Sequence, residues 1–373
     1  MTTLNTKAMN SIEPYDKLYT TVFHTLRKIC VKNGILPTAL SAATRDLLVS
    51  SSGPEAFGGF AEVWRGRLGH QDVGVKVIRI STKGSADSVL KVAITWHRLS
   101  HDRIVPFYGI DQRQFPLSMV CKWMVYGDVV SFIKDNPEAN RPRLILDIAH
   151  GLEYLHSSAV GIIHGDLKGA NILVDEHRRA CLSDFGLTTI LYRPETVHIV
   201  TNVSVFSSTA RWMAPELHDP EQYGLVHGNP TKESDVYAFS MIMWELFTGR
   251  YPFHESRLDA QVIHKVLTGN RPPRPDGANP LGLSDEVWQI MERCWREDRR
   301  KRPRISAALQ DLKRAFYFKG KSIPIPRHLS FDLPSAHWDG KPKVTLGVIG
   351  PELKVTLKSM PLASESYCRM SVQ

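Results

Sequence analysis

The sequence predicts an α+β chain of two lobes, a small one of antiparallel β-strands with one main helix and a large one of α-helices. Strand-like runs come first, between Glu62 and Met124, and helical periodicity follows from Arg141 onward. At 373 residues the chain exceeds one average domain but suits a two-lobed protein with short extensions. The hinge between the lobes is expected near Lys122–Gly127. The expected domains are a helical extension and linker over 1–50, the two-lobed unit over 51–318, and a tail over 319–373. Within the unit, the small lobe takes about 51–122 and the large lobe about 127–318.

Leu18, Val22, Leu26 and Ile29 recur at helical spacing, so Asp16–Asn33 reads as an amphipathic helix that Asn33-Gly34 stops. A Ser-, Ala- and Thr-rich linker then runs to Gly53-Pro54. Glu62–Gly66 and Asp72–Ile78 read as two strands around a turn at Leu68-Gly69-His70. Ser88–Ser100 suits a helix, and Ile104–Ile110 and Leu117–Met124 suit strands. Leu144, Ile148, Leu152 and Leu155 share one face of a helix ending at His156. Further helices are expected over Ser234–Thr248, Leu258–Leu267, Ser284–Trp295 and Ser306–Phe318. In the tail, Lys343–Ile349 and Leu353–Leu357 flank Gly350-Pro351, which leaves a hairpin and disorder both open.

Composition excludes several classes. The first twenty residues lack the apolar core of a secretory signal. The most apolar stretch, Val236–Phe247, contains Ser240 and Glu245 and is too short to span a bilayer. The five cysteines (Cys30, Cys121, Cys181, Cys294 and Cys368) are scattered, with neither metal-ligand nor disulfide-like spacing. These features predict a cytoplasmic protein with no membrane association. The net charge of +9 collects at Arg296–Arg304 and in the tail after Phe318, which reads as a solvated face. No motif supports nucleic-acid binding.

The most informative stretch is His164-Gly165-Asp166-Leu167-Lys168-Gly169-Ala170-Asn171, between the apolar segments Gly161–Ile163 and Ile172–Val174. Thirteen residues after Asn171 comes Asp184-Phe185-Gly186, and further on Ala214-Pro215-Glu216. In this order and spacing, the three strings resemble the catalytic loop, metal-binding loop and activation-segment end of protein kinases. Ser208–Glu216, Lys232–Ser240, Cys294-Trp295 and Arg302-Pro303 narrow the resemblance to the tyrosine-kinase-like branch. The loop Ala56–Val63 and the His-Gly-Asp variant are similar to those of an expanded fungal group. The resemblance covers about residues 55–317.

It implies phosphoryl transfer from ATP with Mg²⁺ or Mn²⁺ to protein substrates in intracellular signalling. Such chemistry needs positioned metal ions, a group that orients the attacking hydroxyl, and cations on the transferred group. Asp166 is placed to accept the hydroxyl proton and Lys168 to reach the γ-phosphate. Asn171 and Asp184 offer the oxygen ligands that a hard cation prefers. Val73-Gly74-Val75-Lys76 is similar to the pattern of the nucleotide-contacting lysine, which makes Lys76 that group. The loop Ala56-Phe57-Gly58-Gly59-Phe60-Ala61, with Val63 beyond it, occupies the place of the phosphate cover, although Ala56 and Ala61 stand where that pattern has glycine. Cys121 falls at the gatekeeper position, Lys122, Trp123 and Met124 would meet the adenine edge through their backbone, and Leu173 completes the nucleotide site. Lys168 within Asp-Leu-Lys-x-x-Asn is similar to serine/threonine kinases. Asp235 would brace the catalytic loop, Glu216 would pair with Arg302, and Thr209 would fix the substrate-docking loop.

Two departures matter. Gly165 replaces the arginine that precedes the catalytic aspartate, which weakens control through a phosphorylated activation segment. Val92 stands where the small-lobe helix should carry a glutamate for Lys76, and no glutamate occurs between Glu62 and Glu138. Asp184 is the substitute partner at hand. The resulting expectation is a weakened but active enzyme, with a nucleotide-binding pseudokinase scaffold as the alternative. Thr188, Thr189, Thr196, Thr201, Ser204, Ser207 and Ser208 make the segment after Asp184 a candidate for phosphorylation. The helix over Asp16–Asn33 is expected to dock either on the small lobe or on a partner.

Overall fold

The computed structural model describes Thr25, residues 40–41, 44–50, 52–57, 61–78, 90, 92–185 and 209–317, and the backbone of 344–349 and 352–357. Apart from Thr25, which is helical, the helix expected over Asp16–Asn33 lies outside these residues. The hydroxyl-rich segment after Asp184 also lies outside them, save Thr209.

Six strands form one antiparallel sheet: β1 (Leu47–Val49), β2 (Ala56–Phe57), β3 (Ala61–Leu68), β4 (Gln71–Ile78), β5 (Phe107–Asp111) and β6 (Ser118–Lys122). The spatial order is β1-β3-β4-β6-β5, with β2 also paired to β3. Gly69-His70 makes the two-residue turn between β3 and β4, where Leu68 pairs with Gln71. Alternation along β4 puts Val73 and Val75 on one face, in a cluster with Leu47 and Val120. Gly74 and Lys76 share the opposite face, and Gly74 pairs with Cys121 of β6.

The sheet starts at Leu47, before the expected boundary at 51, because the preceding segment is tied to its far edge. The Thr44 hydroxyl donates to the Ile110 carbonyl at 2.7 Å, and Gln114 donates to the Leu47 carbonyl at 2.9 Å. Arg113 donates to the carbonyls of Thr44 and Arg45, and Leu40 and Leu47 are both buried. Burying a leucine side chain is worth about 1.5–3 kcal/mol. A chain lacking residues 1–50 is therefore expected to lose at least ~2 kcal/mol of stability, measurable by thermal or denaturant unfolding.

The strand expected over Ile104–Ile110 is shorter than the sequence suggests. Pro106 has no N–H for the ladder, so β5 begins after it and Ile104 makes only an isolated bridge to Leu182. Helix α1, described over residues 92–97, packs Trp96 against Phe107, and the Trp96 indole N–H donates to the Val105 carbonyl at 2.8 Å.

The large lobe holds α2 (Val129–Asp135), α3 (Arg141–His156), α4 (Pro215–His218), α5 (Lys232–Thr248), α6 (Asp259–Leu267), α7 (Asp285–Cys294) and α8 (Ile305–Tyr317). A small antiparallel pair, β7 (Ile172–Val174) and β8 (Ala180–Leu182), also belongs to it. The sequence reading missed α2, which is too short to show a period; its signal is Asp128, whose carboxylate caps the Val130 and Ser131 amides at 3.0 Å. Helix α5 starts at a capping box between Thr231 and Ser234, and every residue from Val236 to Phe247 is buried. It forms the centre of the core with α3, whose Leu144, Ile148, Leu152 and Leu155 are buried as expected. No described helix is long and apolar enough to cross a membrane. In the tail, β9 (Val344–Ile349) and β10 (Glu352–Leu357) pair antiparallel.

Candidate active site

The loop His164–Asn171 is held from beneath by α5. One Asp235 oxygen accepts from the His164 amide at 2.8 Å and from His156 Nε2 at 2.8 Å; the other accepts from the Gly165 amide at 2.9 Å. Gly165 sits at φ +76°, a left-handed conformation that costs other residues about 1–2 kcal/mol. The glycine thus serves the backbone here, besides removing an arginine. His164 is fully enclosed, and burial pushes its pKa down, which keeps the ring neutral.

Above this support, four polar side chains converge. Asp166 Oδ1 accepts from the Thr209 hydroxyl at 3.0 Å, and Oδ2 accepts from Asn171 Nδ2 at 2.8 Å. The Asn171 amide also donates to the Asp166 carbonyl at 2.6 Å. Lys168 Nζ donates to Thr209 Oγ1 at 3.0 Å and lies 3.5 Å from Asp166 Oδ2. Thr209 therefore ties the end of the long segment after Asp184 directly to Asp166 and Lys168.

Ser183 links this group to the next, donating to the Asn171 carbonyl through both its amide and its hydroxyl at 3.0 Å. Asp184 follows in a left-handed conformation, φ +61°, which is a strained geometry for a non-glycine residue. Its Oδ1 accepts from Lys76 Nζ at 2.5 Å. Val92 is buried in the core with Ala93 and Trp96. Asp184 is thus the carboxylate that Lys76 meets. Phe185, buried, stands edge-on to Trp96 at 5.3 Å and to His164 at 6.2 Å, so one aromatic column joins α1 to the catalytic loop.

The residues fit a hard divalent cation. Among the described residues the Asn171 amide nitrogen is taken up by Asp166, which leaves its oxygen as a ligand, and Asp184 keeps Oδ2 outside the pair with Lys76. Groups of three or more His, Cys, Asp or Glu side chains able to hold a metal are absent among the described residues. An amide and one carboxylate match a cation that also takes oxygens from a phosphate.

Val63 pairs with Lys76 across β3 and β4, and Ala56 pairs with Val63 across β2 and β3. Phe57 is exposed, Ala61 is buried, and Gly58, Gly59 and Phe60 lie outside the described residues. Of the hinge amides, Lys122 donates to the Pro106 carbonyl at 2.9 Å and Trp123 to that of Asp72 at 3.3 Å. Of the three residues expected at the adenine edge, Met124 alone has an N–H without a backbone hydrogen bond among the described residues. Leu173, half-buried on β7, faces Asp128 through an isolated bridge. Burial pushes the Cys121 thiol up to about 12, so it stays a neutral core group.

Comparison with known proteins decides the family. A family model described as protein tyrosine and serine/threonine kinase matches residues 56–312. The chain belongs to the protein kinase family. The human cytoplasmic tyrosine-protein kinase BMX is 31% identical over 67% of this chain and 34% of its own. The serine/threonine-protein kinase STY17 of Arabidopsis thaliana is 27% identical over 69% of this chain and 43% of its own. The serine/threonine/tyrosine-protein kinase HT1 of the same plant is 28% identical over 74% and 68%. The chain spans less than half the length of BMX and STY17. Relatives of both specificities accord with the tyrosine-kinase-like branch, and membership implies ATP-dependent phosphotransfer with a divalent metal and protein acceptors.

Two further features of the kinase complete the picture. Glu216 and Arg302 form a bidentate ion pair at 2.6 and 2.7 Å with both side chains essentially inaccessible. Glu245 of α5, which sequence reasoning used only as an argument against a membrane span, reaches the catalytic loop. Its Oε2 accepts from the Gly169 amide at 3.1 Å and from the Trp212 indole at 2.9 Å. Its signal in the sequence was a lone carboxylate within the apolar stretch Val236–Phe247 of that helix.

Proposed function

We propose that the chain is a serine/threonine protein kinase of intracellular signalling, with residues from Leu47 to about 318 as its catalytic unit. The convergence of Asp166, Lys168 and Thr209 within hydrogen-bonding distance carries this reading. Asp166 accepts the proton of the attacking hydroxyl, and Lys168 steadies the transferred phosphoryl group. Lys76 holds the nucleotide phosphates, the face of β4 and β6 around Gly74 and Cys121 borders the adenine, and Met124 N–H binds its edge. Asn171 and Asp184 hold Mg²⁺ or Mn²⁺, which when bound neutralises phosphate charge. Lys168, beside Asp166 at 3.5 Å, stands where serine/threonine kinases carry lysine, which favours the smaller alcohols.

Lys76 relies on Asp184 for orientation because Val92 offers no charge. Its salt bridge therefore draws on a group that also holds the metal, which predicts a modest rate. Purified chain with labelled ATP and matched serine, threonine and tyrosine peptides tests the reading. Label on serine or threonine that disappears with chelator is expected. Label on tyrosine alone overturns the specificity, and metal-dependent nucleotide binding without turnover on any acceptor identifies a scaffold instead.

A further inference from the structure

The group that the proposed chemistry leaves unused is Glu245. It is 3% exposed. Its Oε2 receives one donor from the catalytic loop, between Lys168 and Asn171, and one from the loop that Thr209 joins to Asp166. A β-carbon on Gly169 would lie 2.7 Å from Oε2 and 2.4 Å from Val130, so only glycine lets the backbone come this close. Trp212 is buried, and the two loops meet nowhere else through a shared buried carboxylate among the described residues.

We propose that Glu245 is a positioning residue for phosphoryl transfer: one carboxylate oxygen clamps the catalytic loop to the substrate-docking loop and sets the acceptor against Asp166. This rests on the assignment of Asp166 above. The ionised form makes the stronger clamp, because hydrogen bonds to a charged acceptor are about twice as strong as neutral ones.

Burial pushes the Glu245 carboxyl up to about 7, while the two donors and the like charge of Asp128 act in opposite directions. Asp128, at the start of α2, is the charged side chain acting on it from that helix. The nearby cations are engaged elsewhere, Lys168 with Thr209 and Arg211 with the carbonyls of Pro252, Phe253 and Ser256. Since its pKa is higher in the folded chain than the ordinary 4.5, the folded protein binds an extra proton between about 4.5 and 7. Stability contributed by this group is full below that window and falls as pH rises through it. The carboxylate needed for the clamp therefore works against stability above pH 7.

Glu245→Gln keeps the shape and removes both the charge and that penalty. It is expected to melt no lower than the parent at pH 8 and to leave the KM for ATP unchanged. Its kcat should fall about tenfold at pH 8, the size of effect expected when one hydrogen bond to a charged group weakens by about 1.4 kcal/mol. The parent kcat should rise through a group titrating near neutrality, and the variant should lack that step. A variant with the parent's kcat, or with a lower kcat but the same pH profile, overturns the proposal. Asp166→Asn measured alongside separates the two assignments: if it too stays active, the base assignment fails as well.

Discussion

Asp166→Asn is expected to slow phosphate transfer to a peptide acceptor by about 10²- to 10⁴-fold, the range for losing a positioned general base. The fold should survive. The asparagine oxygen still accepts from the Thr209 hydroxyl, and the Asp235 contacts to His164 and Gly165 are untouched. The local cost arises at Oδ2, where the new amide would face the Asn171 nitrogen and Lys168 instead of accepting from them. One such mismatch is worth about 1–3 kcal/mol, so a fall of several degrees in melting temperature is tolerable and complete unfolding is not expected. Nucleotide affinity should hold, because Lys76, Asp184 and the Asn171 oxygen remain. Single-turnover transfer of labelled phosphate, with nucleotide binding measured on the same sample, is the decisive pair of readings. Unchanged transfer would remove Asp166 from the chemistry.

The two-lobed α+β fold was legible because each lobe has its own period. The alternation of β4 and the helical stripe of α3 are properties of local sequence, and both elements formed where expected. What escaped notice depends on contacts distant in sequence. The strand β1 is three residues long and exists through its ladder with β3 and the ties from Arg113 and Gln114. Helix α2 is two turns long, and Pro106 shortened β5 by removing a ladder donor.

The candidate site divides in the same way. Asp166, Lys168 and Asn171 are neighbours in sequence, so one loop delivers them together. Asp184 and Lys76 were singled out separately, and their 2.5 Å contact spans 108 positions. Sequence reasoning gave Asp184 two competing duties, metal ligand and substitute partner for Lys76. The geometry allows both at once, one on each oxygen, because Val92 is committed to the apolar core. Glu245 stood out only as a carboxylate within an apolar stretch, which signals burial; that it bridges two loops depends on Gly169 and Trp212, 76 and 33 positions away.

Arg302→Met is expected to produce the largest loss of stability. The guanidinium pairs with both Glu216 oxygens and also donates to the carbonyls of Arg296, Glu233 and Glu297 at 2.7 to 3.2 Å. Removing it strands a carboxylate that is 1% exposed, and breaking one side of a buried pair costs about 3–5 kcal/mol. For a lobe of this size, each kcal/mol corresponds to about 2–4 °C in melting temperature, so a fall on the order of 10 °C should appear. Replacing both partners with apolar groups, Glu216→Leu with Arg302→Met, avoids the stranded charge and should recover much of the loss. Recovery should stay incomplete, because three carbonyls still lose a donor. Glu216 sits in α4, directly after the loop that presents Thr209 and Trp212. The single variant should therefore lose transfer at temperatures where the lobe is still folded, whereas the double variant should regain it along with stability. A double variant no more stable than the single one would show that the pair is valued for its hydrogen bonds to the chain and not for relieving a buried charge.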